Sequence, residues 1–99
     1  MAEQVSLVVN DAPIPIVYHF VESYIYLTVG GMLAALKDTE QIKTLDITIE
    51  GDKVTINLNN VQVPVNDFAS RIFKNTIEGM VSPLKGVGAI NKLEMNITR

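Results

Sequence analysis

The chain has 99 residues, 47% hydrophobic and 19% charged, a balance that fits one globular domain and excludes a disordered chain. It holds no cysteine, which excludes disulfides, thiolate metal sites and thiol catalysis. A net charge of -3 with a pI near 4.9 argues against a nucleic-acid or anionic-membrane surface, since such surfaces need clustered Lys and Arg.

The start, Met1-Ala-Glu-Gln-Val5, has neither the basic n-region nor the apolar h-region of a secretory signal, so cytoplasmic residence is expected. Val5, Leu7 and Val9 then alternate with Ser6 and Val8, Asn10-Asp11 makes a turn, and Ala12, Ile14 and Ile16 alternate again. Period two marks strands with one buried face, and Asn and Asp tolerate the positive φ of a two-residue hairpin. Pro13 and Pro15 cannot donate to a ladder, so the second strand is expected to be short or at an edge.

Val17 to Leu36 is an apolar stretch near the roughly 20 residues that a bilayer core requires. His19, Glu22, Ser23 and Thr28 interrupt it, and a mid-span carboxylate is costly, so a helix of a folded domain is expected instead. Leu45, Ile47 and Ile49 form a strand, and Glu50-Gly51-Asp52-Lys53 a tight hairpin into Val54, Ile56 and Leu58. After the Asn59-Asn60 turn come Val61, Val63 and Val65, interrupted by Pro64.

Asn66 or Asp67 can cap a second helix, in which Phe68, Ile72, Met80 and Leu84 recur at helical spacing beside Ala69, Phe73, Ile77 and Val81. Its polar side carries Arg71, Lys74, Asn75, Glu78 and Ser82. Gly86 and Gly88 are expected to end it, with Lys85 favourably placed against the helix dipole. Leu93, Met95 and Ile97 form the last strand.

The order is ββαβ twice. Gly31-Met-Leu-Ala-Ala-Leu-Lys37 matches Gly79-Met-Val-Ser-Pro-Leu-Lys85 at an offset of 48. Val17/Val65, Phe20/Phe68, Thr28/Thr76, Ile42/Ile90, Leu45/Leu93 and Ile49/Ile97 keep that offset, and Val5/Val54, Asn10/Asn59 and Pro15/Pro64 follow at 49. The expected fold is therefore α+β: two tandem ββαβ repeats, about 5–50 and 53–98, in a single domain over 1–99. They would form one antiparallel or mixed sheet with both helices on one face. Reduced to βαββαβ, this is by analogy a ferredoxin-like or TBP-like pseudo-two-fold arrangement, and it implies nothing about function.

Each copy is a control for the other. Where the second helix has Lys74, Asn75, Glu78 and Ser82, the first has Tyr26, Leu27, Gly30 and Ala34. A helix that is apolar all round must be covered. These four residues are therefore the expected interface of a homodimer, with Gly30 and Ala34 admitting a second backbone.

The chemistry-bearing residues are sparse. His19 and Glu22, at i and i+3, are half of a metal site or acid–base pair, and no second histidine exists to complete it. Tyr24, Tyr26 and Thr28 offer hydroxyls without an evident base. Gly30-Gly31 lies inside a helical pattern and Gly86-Val-Gly88 follows a helix, so neither is a phosphate loop. Met32 and Met80 occupy equivalent positions as core fillers. The outward sheet positions Asp46, Thr48, Glu50, Thr55, Asn57, Glu94, Asn96 and Thr98 carry no cation to neutralise phosphates. Neither cofactor nor metal is expected.

Val63-Pro-Val-Asn-Asp-Phe68 followed by Asn75-Thr-Ile-Glu-Gly-Met-Val-Ser-Pro-Leu-Lys-Gly-Val87 resembles small uncharacterised prokaryotic proteins built from a single such unit. The resemblance implies no activity and no site residues. It covers the second half, and Leu27, Gly30 and Ala34 depart from it. It implies that single-unit relatives pair to complete the sheet.

Three classes of function follow. The first is a non-enzymatic interaction or assembly module that self-associates through the first helix, without nucleic acid or membrane, another protein partner being open. The second is an apolar small-molecule site between helices and sheet near Phe20, Tyr24, Phe68 and Phe73. The third is an enzyme whose site, including His19, Glu22 and Tyr18, is completed across an oligomer interface.

Overall fold

The computed structural model describes residues 4–36 and 41–99. The Met1–Glu3 start and the Lys37 end of the first matched heptapeptide lie outside the described residues. The elements are β1 (Gln4–Val9), β2 (Ala12–Ile14), α1 (His19–Leu36), β3 (Thr44–Glu50), β4 (Lys53–Leu58), β5 (Val61–Val63), α2 (Asp67–Val81) and β6 (Lys92–Thr98).

All six strands form one antiparallel sheet in the order β2-β1-β6-β3-β4-β5. β1 and β3 run parallel to each other with β6 between them, and β4 and β6 do the same around β3. The register stacks inward residues in rows: Leu7, Met95, Ile47 and Ile56 form one, and Val5, Ile97, Leu45 and Leu58 another. All of these are buried, which follows from period-two alternation over strands with a single covered face.

The prolines do what the missing N–H dictates. β2 and β5 are three residues long and occupy the two edges. Both hairpin turns use paired positive φ, 52° and 66° at Asn10-Asp11 and 50° and 68° at Asn59-Asn60, the type I′ geometry that matches strand twist. Gly51, at φ 61°, opens the β3–β4 turn.

The helices share one face of the sheet. Ile25, Val29 and Leu33 of α1 and Phe73, Ile77 and Val81 of α2 join the inward strand residues in one core. Asn66 caps α2, its Oδ1 accepting from Ala69 N at 2.8 Å. α2 ends earlier than the glycines suggest: Val81 is its last residue and Ser82 its C-cap. Pro83 is the reason: Ser82 still has helical backbone angles and its N–H donates to Glu78 O at 2.8 Å, but Pro83 has no N–H to make the next i→i−4 bond. Lys85 consequently lies beyond the last turn, and Gly86 takes φ 93° in the loop that follows. The molecule measures 34 × 33 × 19 Å, one sheet and one helix layer thick, and among the described residues no third layer covers the outer surface of either.

Among the described residues, no helix is long and apolar enough to cross a membrane.

Candidate functional site

The helix layer carries the unusual surface. With Ile25, Val29 and Leu33 buried, a rotation of 100° per residue points Phe20, Tyr24, Leu27, Gly31 and Ala34 away from the sheet, and all five are exposed. Phe20 is 73% exposed, Leu27 68% and Tyr24 53%. The Phe20 and Tyr24 rings stack with centroids 6.3 Å apart. A Cβ built on Gly31 would meet nothing within 4 Å, so the middle of this stripe is flat and open.

α2 presents the same 4-3-4-3 spacing. Phe68, Ile72, Asn75, Gly79 and Ser82 are its outward residues, all exposed, with Phe68 at 65%. Helical spacing alone groups Phe68 and Ile72 with the apolar side of α2. The structure instead buries Phe73, Ile77 and Val81 and leaves Phe68 and Ile72 outside. The two faces differ at Tyr24 against Ile72, Leu27 against Asn75 and Ala34 against Ser82.

The four residues singled out on α1 do not lie together on this stripe. Leu27 and Ala34 belong to it. Tyr26 is half-buried against the core, and Gly30 is half-buried with Ile42 Cδ1 3.8 Å from its would-be Cβ. Both are on the flank of α1 turned away from α2. At the matching flank of α2, Lys74 and Glu78 pair at 3.4 Å, so Tyr26 and Gly30 stand where an exposed helix carries an ion pair.

Two hollows open between the helices, one at each end of the seam. One, of about 500 Å³, is lined by Phe20 and Tyr24 of α1 and by Met80, Pro83 and Leu84. The other, of about 330 Å³, is lined by Met32, Ala35 and Leu36 and by Phe68, Ile72 and Phe73. The pairing of opposite ends shows that the helices run antiparallel. Seven positions of the first hollow, Phe20, Val21, Tyr24, Ile25, Met80, Pro83 and Leu84, correspond at a spacing of 48 to seven of the second. The residues expected around one pocket between helices and sheet are thus divided: Phe20 and Tyr24 line one hollow, Phe68 and Phe73 the other.

His19 and Glu22 do not converge. Glu22 turns to the sheet, where Oε2 accepts from Val5 N at 3.0 Å, and His19 Nε2 lies 3.4 Å from Ser23 Oγ on the surface. β2 is too short to reach Val5, so the carboxylate satisfies an N–H that the sheet leaves open. Tyr18 is exposed, and its carbonyl accepts from Val21 N and Glu22 N at the start of α1. Among the described residues, no group of three or more His, Asp or Glu side chains gathers as metal ligands would. The open sheet face bears Asp46, Asn96 and Glu94, with Asn96 Nδ2 donating to Asp46 Oδ1 at 2.7 Å and Lys92 4.0 Å from Glu94.

No protein-family model, curated protein or solved structure matches the chain.

Proposed function

We propose that this chain is a non-enzymatic assembly module that pairs with a second copy of itself through the outer surface of its helix layer, centred on α1. The observation that carries the reading is the exposed, uncharged stripe from Phe20 to Ala34, continuous with Phe68 and Ile72. With aromatic side chains of about 150–250 Å² each, the exposed parts of Phe20, Tyr24, Leu27, Phe68 and Ile72 reach on the order of 600 Å². That is at the upper limit of roughly 300–600 Å² for the largest apolar patch on a monomer. It also approaches the roughly 800 Å² per partner of a stable interface. Charge depletion and aromatic enrichment are what the centre of an interface needs. Tyr26 and Gly30 would form the flank of the contact and Leu27 and Ala34 its middle. Nucleic acid, membrane and cofactor have no part in this reading.

The same reading takes the chain as a tandem duplication of one ββαβ unit with a pseudo-two-fold axis between β6 and β3. The recurrence of turn residues, hollow linings and matched pairs at spacings of 48 and 49 supports it. Two single units would pair through their sheets to give such a layer, and fusion frees one helix to diverge toward a second interface.

A second reading, an apolar ligand held between the helices, is favoured by the volume of the larger hollow, about 500 Å³, within the usual range for ligand sites. Its width open to solvent makes it the weaker of the two.

The test is light scattering on wild type beside Leu27→Glu and Gly30→Glu. Leu27→Glu is expected to halve the mass from that of two chains, with circular dichroism unchanged because Leu27 is exposed. A wild-type mass of one chain, or an unaltered dimer for both variants, would refute the reading.

A further inference from the structure

We infer that the two copies meet with α1 on α1 and α2 on α2, and that Asn75 selects this arrangement over the crossed one; the inference rests on the self-association proposed above. Because the two outward stripes share one spacing and the helices run antiparallel, a second copy can be laid on the helix layer in two ways. In the like-on-like arrangement Leu27 meets the partner's Leu27 and Asn75 meets the partner's Asn75. In the crossed arrangement each Leu27 meets the partner's Asn75.

Position makes these residues decisive. The first hollow sets Phe20 and Tyr24 against a stretch that runs from Asn75 to Leu84, and the second sets Met32 to Leu36 against Phe68 to Phe73. Leu27 and Asn75 therefore lie within about one helical turn of the middle of the helix pair, where a two-fold axis would pass. Gly31 and Gly79 are identical in both stripes, and Tyr24 against Ile72, one turn away, exchanges one large side chain for another.

The physics separates the two. An amide buried against leucine loses its water and gains no partner, whereas two facing amides each supply a donor and an acceptor to the other. A single polar side chain in an apolar seam is an established way of fixing register and orientation between helices. Like-on-like pairing collects Leu27 with Leu27 and satisfies both Asn75 amides at once. Crossed pairing leaves two amides unpaired.

Charge exchange at position 75 tests this without disturbing the fold, since Asn75 is exposed and helical. Asn75→Asp and Asn75→Lys are each expected to weaken the dimer, because like charges would face each other across the axis. Mixing the two variants is expected to restore association as a mixed dimer at least about tenfold tighter than either alone, read by sedimentation equilibrium. In the crossed arrangement both charges face Leu27, and mixing restores nothing; that result would overturn the inference while leaving self-association standing. Two variants that dimerise as tightly as wild type would also overturn it. A monomeric wild type would instead remove the reading on which it rests.

Discussion

Asn10 and Asn59, forty-nine residues apart, make the same set of hydrogen bonds to the strand that starts beside each of them. Asn10 Oδ1 accepts from Asn91 N at 2.8 Å and Lys92 N at 2.9 Å, and Nδ2 donates to Ala89 O at 2.7 Å. Asn59 Oδ1 accepts from Lys43 N at 2.8 Å and Thr44 N at 3.1 Å, and Nδ2 donates to Gln41 O at 2.9 Å. Their own N–H groups donate to Lys92 O and Thr44 O. Each hairpin turn is thereby a clamp on the start of β6 or β3, the two central strands.

The clamp predicts that Asn10→Ala and Asn59→Ala each cost about 2–3 kcal/mol, from lost hydrogen bonds and a strained positive φ. Asn59→Gly relieves the φ and still loses the clamp, so it is expected to recover only part of that. Urea unfolding of the three variants checks the ordering.

The buried and exposed stripes of α2 predict opposite behaviour for two isoleucines five residues apart. Ile77→Ala, at 0% exposure in the core, is expected to cost about 2–5 kcal/mol. Ile72→Ala is expected to change the stability of the monomer by less than about 0.5 kcal/mol and to act on association instead. Thermal unfolding at low protein concentration separates the two.

Removing the Glu22 carboxylate frees the Val5 N–H at the edge of β1. Glu22→Ala is expected to cost about 1–2 kcal/mol and to speed exchange of the Val5 amide, with Glu22→Gln, which keeps an acceptor, in between. Hydrogen exchange followed residue by residue reads this directly.

Much of the fold was legible because its local chemistry is strong. Asn10-Asp11 and Asn59-Asn60 announce their turns, Pro13, Pro15 and Pro64 announce short edges, and the alternation of Leu45, Ile47 and Ile49 announces its buried side. Strand order was not legible, because period two names a face and not a neighbour. Gly86 and Gly88 mark the end of α2 too late, because Pro83 stops the helix before them. α2 also carries two apolar series at helical spacing, Phe68 with Ile72 and Phe73 with Ile77, and periodicity cannot say which one points down. On α1, the contrast with Lys74, Asn75, Glu78 and Ser82 marks Tyr26, Leu27, Gly30 and Ala34, of which Tyr26 and Gly30 lie on the flank. Leu27 and Ala34 are thus legible in the sequence, whereas the place of Phe20 and Tyr24 on one outward stripe with them needed the position of the sheet.

Light scattering of the wild-type chain at two concentrations, tens of micromolar and tenfold lower, tests self-association through the helix layer most directly. The account predicts the mass of two 10.9 kDa chains at the higher concentration, with any dissociation on dilution enhanced by Leu27→Glu. A mass of one chain at both concentrations would contradict it.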